Sequence, residues 1–368
     1  MTKLLILSVS AGNGHVRAAQ ALEATAQTLA PHTAVHIDAM DFVVAGFRKI
    51  YTDGYQHLAT RAPGVWSYLH QRTDTTPHDA TSQRVRRGIE RLSAGALLRE
   101  IRRVRPDAVI CTHFLPAELL MRERNRGRID CPVWLQITDY DLHNMWLVPG
   151  MAGYFAATDE VAFRLRARGI AAGLIHVTGI PVMPAFAEPA DPLAGLDPAR
   201  PVLLIVSGGA GIGSLPSMVE RVLALGSDFA VIAVAGRNAE AKVTLDALAL
   251  RCPGRIVAVG FTNEMHRLMA AADLVVTKPG GLTVSECMAL GKPMLLISPI
   301  PGQEEHNAGF LMEAGAAGLA YDAIGFDYKV ARLMADRVRL ATMAAASRLL
   351  GRPQAARDVL RHVLGDPA

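Results

Sequence analysis

The chain has 368 residues, of which 51% are hydrophobic and 20% are charged, and its formal net charge is +4. This length favours two globular domains of roughly 150–200 residues each. The positive excess is too small to indicate a nucleic-acid-binding protein, and no apolar run reaches the roughly 18–20 residues that span a bilayer.

Cysteine usage favours a reducing compartment. No C-x-x-C spacing occurs among the four cysteines, which are Cys111, Cys131, Cys252 and Cys287. Most of them lie in or beside apolar runs, so buried free thiols and a cytoplasmic location are expected.

The chain opens with a predicted β-α-β unit. An apolar strand, Lys3–Val9, is followed by the glycine turn Ser10–His15 and by an Ala-rich helix over Val16–Leu29. A second strand at Ala34–Asp38 completes the start of a mononucleotide-binding type of fold. Further strands are predicted at Asp107–Thr112, Val133–Thr138, Tyr154–Thr158 and Leu174–Thr178.

A long insert separates the second and third strands. Its first part, Asp41–Leu69, is aromatic, and its second part, Arg84–Arg105, carries eight arginines against two glutamates. One interpretation is a core stripe followed by a solvated helix. The other is an aromatic and basic surface that meets anionic membrane lipid. The residues expected to contact lipid are Tyr51, Tyr55, Trp66, Arg86 and Arg87.

Prolines and small residues mark Ala185–Arg200 as an interdomain linker. The domain limits are therefore predicted at 1–184 and 201–345, with linker 185–200 and terminal helices within 346–368. The helical patterns near the end of the chain cover Tyr328–Leu350 and Gln354–Leu364.

The second half repeats the order of strand, glycine loop and helix with which the first half opens. A strand at Val202–Val206, a glycine loop at Gly208–Gly213 and a helix at Leu215–Leu225 open it. A dehydrogenase would need an acidic residue at the end of the next strand, but that strand ends in Gly236-Arg237, which disfavours NAD. Further strands are predicted at Phe229–Val234, Ile256–Val259, Asp273–Val276, Met294–Ser298 and Ala317–Tyr321. Two such arrays predict an α/β protein with two doubly wound Rossmann-like domains facing a cleft.

The stretch Thr277–Asn307 carries the strongest functional pattern. A strand is broken by Pro279-Gly280-Gly281, a helical pattern begins at Thr283, and a second strand leads into the polar loop Pro301–Asn307. Glycines let an anion approach the backbone, and the first N–H groups of a helix have no partner within it. A phosphate site is therefore expected there, with Glu286 and Gln303 facing the ligand. An ordinary strand-to-helix turn is the alternative.

The D-x-D tripeptide Asp139-Tyr140-Asp141 is a weaker pattern. Two carboxylates suit a hard cation, but the tripeptide is frequent by chance. No metal site is predicted from it.

Together these motifs resemble glycosyltransferase family 28. The Gly280-Gly281 turn with its T-x-x-E and P-G-Q-E-x-x-N continuation resembles the sugar-donor half of that family. Ser10–His15, Thr138–Trp146 and Val177–Val182 resemble its diacylglycerol branch, the monogalactosyldiacylglycerol synthases and processive diacylglycerol glucosyltransferases. Asn13 stands where several relatives have glycine. The resemblance covers roughly residues 3–320 and implies a two-domain glycosyltransferase of the B type (GT-B), with the acceptor in the N-terminal domain and the UDP-sugar in the C-terminal one.

The resemblance also implies roles for single residues. Glu286 would bind the ribose hydroxyls, Phe261 would lie by the uracil, and Gln303 with Glu304 would contact the sugar. His15 would face the acceptor hydroxyl. Asp139 and His143 are the alternative catalytic bases, and a local cap in the turn is the non-catalytic alternative for His15. The other implied sugar-donor residues are Gly208, Gly209, Gly280, Gly281, Leu282, Thr283 and Asn307, and the other acceptor-side residues are Gly12, Asn13, Gly14 and Trp146.

The residue types suit the implied reaction. A neutral histidine can take the proton of the acceptor hydroxyl near pH 7, and a helix N-terminus can stabilise the departing UDP without a metal or other cofactor. The expected function is inverting transfer of a hexose from UDP-glucose or UDP-galactose to the 3-hydroxyl of 1,2-diacylglycerol. A peripheral position on the inner face of the cell membrane is expected with it.

Two alternatives remain. The first is an N-acetylglucosaminyltransferase acting on a lipid-linked muropeptide, which would not need the aromatic and Arg-rich insert and usually opens with a longer Gly-Gly-Thr-Gly-Gly-His loop. The second is a non-enzymatic module that senses a UDP-sugar.

Overall fold

A computed structural model describes residues 2–10, 12–29, 31–43, 95–190, 193, 199–206, 212–226 and 229–365. The chain divides into two compact units. The first comprises Met1–Pro184, Ile300–Gln303 and Gln354–Ala368, and the second comprises Ala185–Pro299 and Glu304–Pro353. The chain therefore returns to the first unit at its C-terminal end.

The first unit is built on a parallel sheet with six strands among the described residues. Its spatial order is β2-β1-β3-β4-β5-β6. The strands are β1 (Lys3–Ser8), β2 (Thr33–Asp38), β3 (Ala108–Cys111), β4 (Val133–Gln136), β5 (Gly153–Ala156) and β6 (Ile175–Val177). The strand order reverses between β1 and β3, so the loops that follow these two strands diverge and leave a crevice at the carboxyl edge.

The second unit repeats this architecture. Its described strands form a parallel sheet of order β12-β11-β10-β7-β8-β9, which reverses between β7 and β10. The strands are β7 (Val202–Ile205), β8 (Ala230–Gly236), β9 (Ile256–Gly260), β10 (Leu274–Thr277), β11 (Met294–Ile297) and β12 (Ala317–Ala320). The prediction of two doubly wound Rossmann-like domains is confirmed, and each predicted strand is present with ends that differ by no more than two residues.

Helices cover the faces of both sheets. Those among the described residues are α1 (Asn13–Gln27), α2 (95–104), α3 (Phe114–Arg124), α4 (Asp159–Ala167), α5 (Leu215–Ala224), α6 (Ala239–Arg251), α7 (Met265–Ala271), α8 (Gly281–Ala289), α9 (Gln303–Glu313), α10 (Ala323–Ala335), α11 (Arg337–Leu350) and α12 (Ala355–Leu364). None of these helices is long and apolar enough to cross a membrane.

The predicted helix over Tyr328–Leu350 is wrong in one respect, because the chain forms two helices there. Asp336 separates α10 from α11, and its carboxylate accepts the backbone N–H of Arg339 at 2.9 Å. Aspartate is among the best helix N-caps. Hydrophobic periodicity alone does not reveal such a break.

Alternate residues of β1 enter two different cores. Leu5 and Leu7 pack into the core on one face of the first sheet, and Leu4 and Ile6 pack on the other. The second of these cores also contains residues of α12, among them Val359 and Leu360. This packing places the last helix in the first unit.

The described part of the Arg-rich segment is a surface helix with one buried face. In α2 the buried side chains include Leu97 and Ile101, which join the first core, and Arg102 and Arg103 are exposed. Arg103 forms an ion pair with Glu100 at 2.5 Å.

The four cysteines are free thiols, as predicted. Cys111 and Cys287 are fully buried, and this burial raises the pKa of both thiols. They are therefore protonated and unreactive at neutral pH.

Gly351, directly after α11, gives a test of the packing in the second unit. A Cβ added at this position would overlap the carbonyl oxygen of Met288 in α8. We expect Gly351→Ala to lower the free energy of unfolding by about 1–3 kcal/mol, because α11 must move away from α8. Gly309→Ala is the matched control: its Cβ would meet no atom within 4 Å on the exposed side of α9, so it should raise the free energy by about 0.5–1 kcal/mol. Equal effects in a urea titration would contradict the packing described.

Candidate functional site

The first group of candidate residues lies at the strand reversal of the first sheet. The chain leaves β1 and enters α1 through Gly12, whose φ of 98° is in the left-handed region that favours glycine. The helix begins at Asn13 instead of after His15. Gly14 and His15 therefore lie in the first turn of α1, and not in the predicted glycine turn.

The ring of His15 is fixed by the ends of two other strands. Its Nδ1 lies 2.9 Å from the carbonyl oxygen of Thr112, after β3, and 2.8 Å from the hydroxyl oxygen of Thr138, after β4. A carbonyl oxygen only accepts, so Nδ1 carries the ring proton and donates it. Nε2 consequently holds the lone pair of the neutral ring.

Burial controls the charge of this ring. It lowers the pKa of His15 to about 4, and the hydrogen bond to the Thr112 carbonyl offsets only part of that effect. His15 is therefore neutral at pH 7, in the form that can accept a proton at Nε2.

A cluster of rings surrounds His15. The ring of His113 meets it edge to face, with centroids 4.6 Å apart, and the ring of Trp146 lies 6.1 Å away. Phe114 packs against Trp146 with centroids 5.6 Å apart. His113 is a buried residue of this cluster that the sequence pattern did not indicate. Its position directly after a predicted strand, at the carboxyl edge of the sheet, is the feature of the sequence that could have indicated it.

The tautomers of His113 and His143 are opposite to that of His15. Nδ1 of His113 accepts the N–H of Leu115 at 3.1 Å, and Nδ1 of His143 accepts the N–H of Met145 at 3.2 Å. A neutral ring that accepts at Nδ1 carries its proton on Nε2. These two rings present a donor at Nε2, whereas His15 presents an acceptor.

The aspartates of the D-x-D tripeptide have separate partners. Asp139 is buried and accepts a hydrogen bond from the side-chain amide of Gln303, which belongs to the same compact unit. Asp141 forms an ion pair with Arg164 of α4 at 3.2 Å. In the described part of the chain, no three His, Cys, Asp or Glu side chains converge as a metal site would require.

The second group of candidate residues lies at the strand reversal of the second sheet. The chain leaves β10 at Thr277, passes through Pro279, and enters α8 at Gly281, two residues before the predicted start. The N-cap is Gly280, which has no side chain to accept a hydrogen bond from the first turn. The N–H groups of Gly281, Leu282 and Thr283 form the N-terminus of a helix, a position that favours an anion.

Residues of α9 support this turn from one side. Asn307 is fully buried, and its Nδ2 donates to the carbonyl oxygen of Pro279 at 3.1 Å. Oε1 of Glu304 lies 3.7 Å from the position that a Cβ on Gly280 would take. The predicted polar loop Pro301–Asn307 is wrong in its second part, since α9 begins at Gln303.

Glu286 lies in the second turn of α8 and is only 6% exposed. A carboxylate at this depth is stable only when hydrogen-bond donors or cations meet it.

Phe261 and Arg237 follow neighbouring strands, β9 and β8. Phe261 is 62% exposed, and the guanidinium carbon of Arg237 lies 5.1 Å from the centre of its ring. This is a cation–π contact. The family resemblance implies Phe261 as a binding residue but gives no role to Arg237.

Some predicted residues lie outside the described part of the chain, and the structure says nothing of them. They are Tyr51, Tyr55, Trp66, Arg86, Arg87, Gly208 and Gly209.

Comparisons with known proteins cover both halves of the chain. The family described as monogalactosyldiacylglycerol (MGDG) synthase matches residues 15–182. The family described as the glycosyltransferase family 28 C-terminal domain matches residues 202–359.

Two curated relatives have the same name, processive diacylglycerol beta-glucosyltransferase. The protein from Bacillus pumilus is 31% identical over 265 residues, which are 70% of this chain and 68% of the relative. The protein from Bacillus cereus (strain AH187) is 27% identical over 99% of this chain and 94% of the relative.

A solved structure of S. aureus MnaA with UDP is similar in fold. It has a TM-score of 0.66 at 14% identity, and the alignment covers 99% of this chain and 96% of that one. This likeness, at so low an identity, concerns the fold alone. The matched sequence families and the 31% identical relative establish more: the chain belongs to the family of the diacylglycerol glycosyltransferases and is a UDP-sugar-dependent glycosyltransferase.

Proposed function

We propose that the protein transfers a hexose from UDP-glucose or UDP-galactose to the 3-hydroxyl of 1,2-diacylglycerol, with inversion at the anomeric carbon. The names of the curated relatives and of the matched synthase family support the acceptor. The UDP in the similar MnaA structure supports the nucleotide. The observation that carries the mechanism is the neutral His15, whose Nδ1 proton is committed to the Thr112 carbonyl.

In this mechanism His15 is the general base. Its Nε2 takes the proton of the acceptor hydroxyl while the hydroxyl oxygen attacks the anomeric carbon from the face opposite UDP. The new C–O bond forms as the bond to the diphosphate breaks, and UDP leaves with the electron pair. A bound diphosphate brings negative charge, which would raise the pKa of His15 and make it a stronger base during turnover.

The sugar donor would be held mainly by residues after β9, β10 and β11. The N-terminus of α8 would receive the diphosphate and stabilise its growing charge, without a metal or other cofactor. Glu286 would accept hydrogen bonds from the ribose hydroxyls, and Phe261 would stack on the uracil. Gln303 and Glu304 would contact the sugar. Asn307 would act by holding the Pro279 turn, since its amide already bonds there.

The proposed acceptor implies contact with a membrane. We propose a peripheral protein on the inner face of the cell membrane, in contact with anionic lipids. The aromatic and Arg-rich insert would supply part of that contact, with α2 as its described end.

A UDP-release assay with and without diacylglycerol micelles tests this function directly. Release that depends on diacylglycerol, with a hexosyldiacylglycerol identified by mass spectrometry, is the expected result. Release with a lipid-linked muropeptide but not with diacylglycerol would instead favour the N-acetylglucosaminyltransferase alternative.

We expect Glu286→Ala to weaken UDP binding by at least tenfold. Two ribose hydroxyls that donate to one carboxylate make hydrogen bonds of roughly 1.5–3 kcal/mol each. Isothermal titration calorimetry measures the change. Glu313→Ala, which removes an exposed carboxylate at the end of α9, is the control and should bind UDP as the parent does. Unchanged UDP affinity in Glu286→Ala would remove this residue from the site.

His15→Ala should lower kcat by roughly 10²–10⁴, the usual range for a general base. The KM for the UDP-sugar should stay near that of the parent, because this residue does not hold the donor. His143→Asn is the matched comparison: asparagine can still cap the N–H of Met145, so a loss below tenfold is expected. A larger loss of kcat in His143→Asn than in His15→Ala would identify His143 as the base.

The pKa of His15 predicts a pH dependence of stability. Because the folded state holds this ring neutral down to about pH 4, the unfolded state binds more protons between about pH 6.5 and pH 4. Stability should therefore fall as the pH drops through this window. His15→Gln should remove part of that fall, on the order of 1–2 kcal/mol. Urea titrations at pH 7 and pH 4.5 measure it, and an identical pH dependence in parent and variant would contradict the buried neutral ring.

A further inference from the structure

The second unit has an exposed surface with no role in the function proposed above. Large hydrophobic side chains are exposed at thirteen described positions, and five of these positions lie in the short stretch Tyr321–Leu349. They are Tyr321, Ile324, Tyr328, Val338 and Leu349, each at least 60% exposed. We call the exposed side of α10 and α11, with Tyr321 before it, the α10–α11 surface.

Helical spacing aligns these side chains into stripes. In α10, Ile324, Tyr328 and Arg332 follow one another at intervals of four residues and are all exposed. In α11, Val338 and Leu349 are eleven residues apart, which is close to three full turns. The opposite sides of both helices are buried in the core of the second unit. Each helix therefore has two large apolar side chains exposed to the solvent in addition to its face in the core.

The charges of this stretch are mostly positive. Residues 321–352 include six basic side chains and three acidic ones. Each of the three acids serves the structure: Asp322 and Asp336 cap helices, and Asp327 pairs with Arg221 at 3.0 Å. The basic residues that are exposed are Arg332, Arg337, Arg339, Arg348 and Arg352.

Two of these arginines lie at the start of α11. Arg337 and Arg339 are in its first turn, next to the capping carboxylate of Asp336. The helix dipole disfavours cations at that end. Both side chains are exposed, so they can also meet an external anion.

We propose that the α10–α11 surface binds the headgroup layer of an anionic membrane. This inference rests on the proposed function, because a lipid acceptor requires the enzyme to work at a bilayer. Exposed tyrosine and aliphatic side chains flanked by arginine are typical of helices that lie in the membrane interface. The excess of arginine complements anionic headgroups.

The surface lies directly behind the helix assigned to the sugar donor. A Cβ on Gly351, after α11, would overlap the Met288 carbonyl of α8, and the Arg348 side chain packs over Gly291 at the end of α8. A membrane that holds α11 therefore also holds α8. These contacts lie at the C-terminal end of α8, opposite the N-terminus assigned to the diphosphate.

Vesicle co-sedimentation of the full chain tests this proposal. The charge variant is Arg337→Gln with Arg339→Gln, and its control is Arg166→Gln with Arg251→Gln, two exposed arginines elsewhere. With vesicles of phosphatidylcholine and phosphatidylglycerol, the charge variant should partition at least fivefold less than the parent, and the control like the parent. With phosphatidylcholine alone, the two variants should not differ. Equal partitioning of both variants into anionic vesicles would overturn the proposal.

A second pair of variants tests the apolar part. Leu349 and Leu250 are both 84% exposed, so Leu349→Ser and Leu250→Ser remove the same exposed group. Only Leu349→Ser should reduce partitioning, by a few fold. If it leaves partitioning unchanged and alters only the oligomeric state in light scattering, the surface is a protein interface and the proposal fails.

Turnover separates this proposal from the proposed function. With diacylglycerol in detergent micelles, the charge variant should work as the parent does, and in anionic vesicles it should be slower. If the parent does not use diacylglycerol at all, the proposed function fails, while the co-sedimentation result still decides whether this surface binds lipid.

Discussion

The hydrogen bond between His15 Nδ1 and the Thr112 carbonyl joins α1 to the end of β3 across 97 residues of sequence. Thr112 completes the link, since its hydroxyl donates to the main-chain carbonyl of His15 at 2.9 Å. The side chain and the main chain of His15 are thus held by one residue. This double contact fixes the ring position and the tautomer together, and both are needed for a base that acts through Nε2.

The two units have the same topology, but the sites at their strand reversals differ in electrostatic character. In each, a glycine starts a helix at the point where the strand order reverses. In the first unit the buried ring at that point is held neutral, which suits proton transfer. In the second, the N-terminus of α8 offers backbone N–H groups to negative charge. A single arrangement of strands therefore positions a base in one unit and an anion site in the other.

The sequence was sufficient to predict features that depend on local patterns. Parallel strands buried on both faces appear as short apolar runs, and the strands predicted from these runs end within two residues of the observed ends. The glycine turns and Glu286 were indicated by spacing and by the family resemblance. The break at Asp336 is not indicated by the sequence pattern. The apolar spacing continues across it, and the chain nevertheless starts a new helix at the capping aspartate.

Other features could not be predicted because they depend on contacts between distant parts of the chain. His113 becomes a neighbour of His15 only when β3 pairs with β1. Arg237 meets Phe261 only when β8 lies beside β9. The sequence shows what a side chain can do chemically, but the sheet order decides which other side chains it meets.

Other contacts between distant parts of the chain hold α8 at both of its ends. At its N-terminal turn, the buried amide of Asn307 holds the Pro279 carbonyl. After its C-terminal end, the ammonium of Lys292 donates to the carbonyls of Ala270 and Ala272, at 2.7 and 2.9 Å, and so ties it to the end of α7. Burial lowers the pKa of Lys292, and two carbonyl acceptors at a helix C-terminus compensate for part of that cost. With both ends fixed, the N–H groups of α8 are oriented before any ligand arrives. Charge that develops on a leaving diphosphate would then meet dipoles that need no further reorganisation, and this is the condition under which such dipoles stabilise a transition state most.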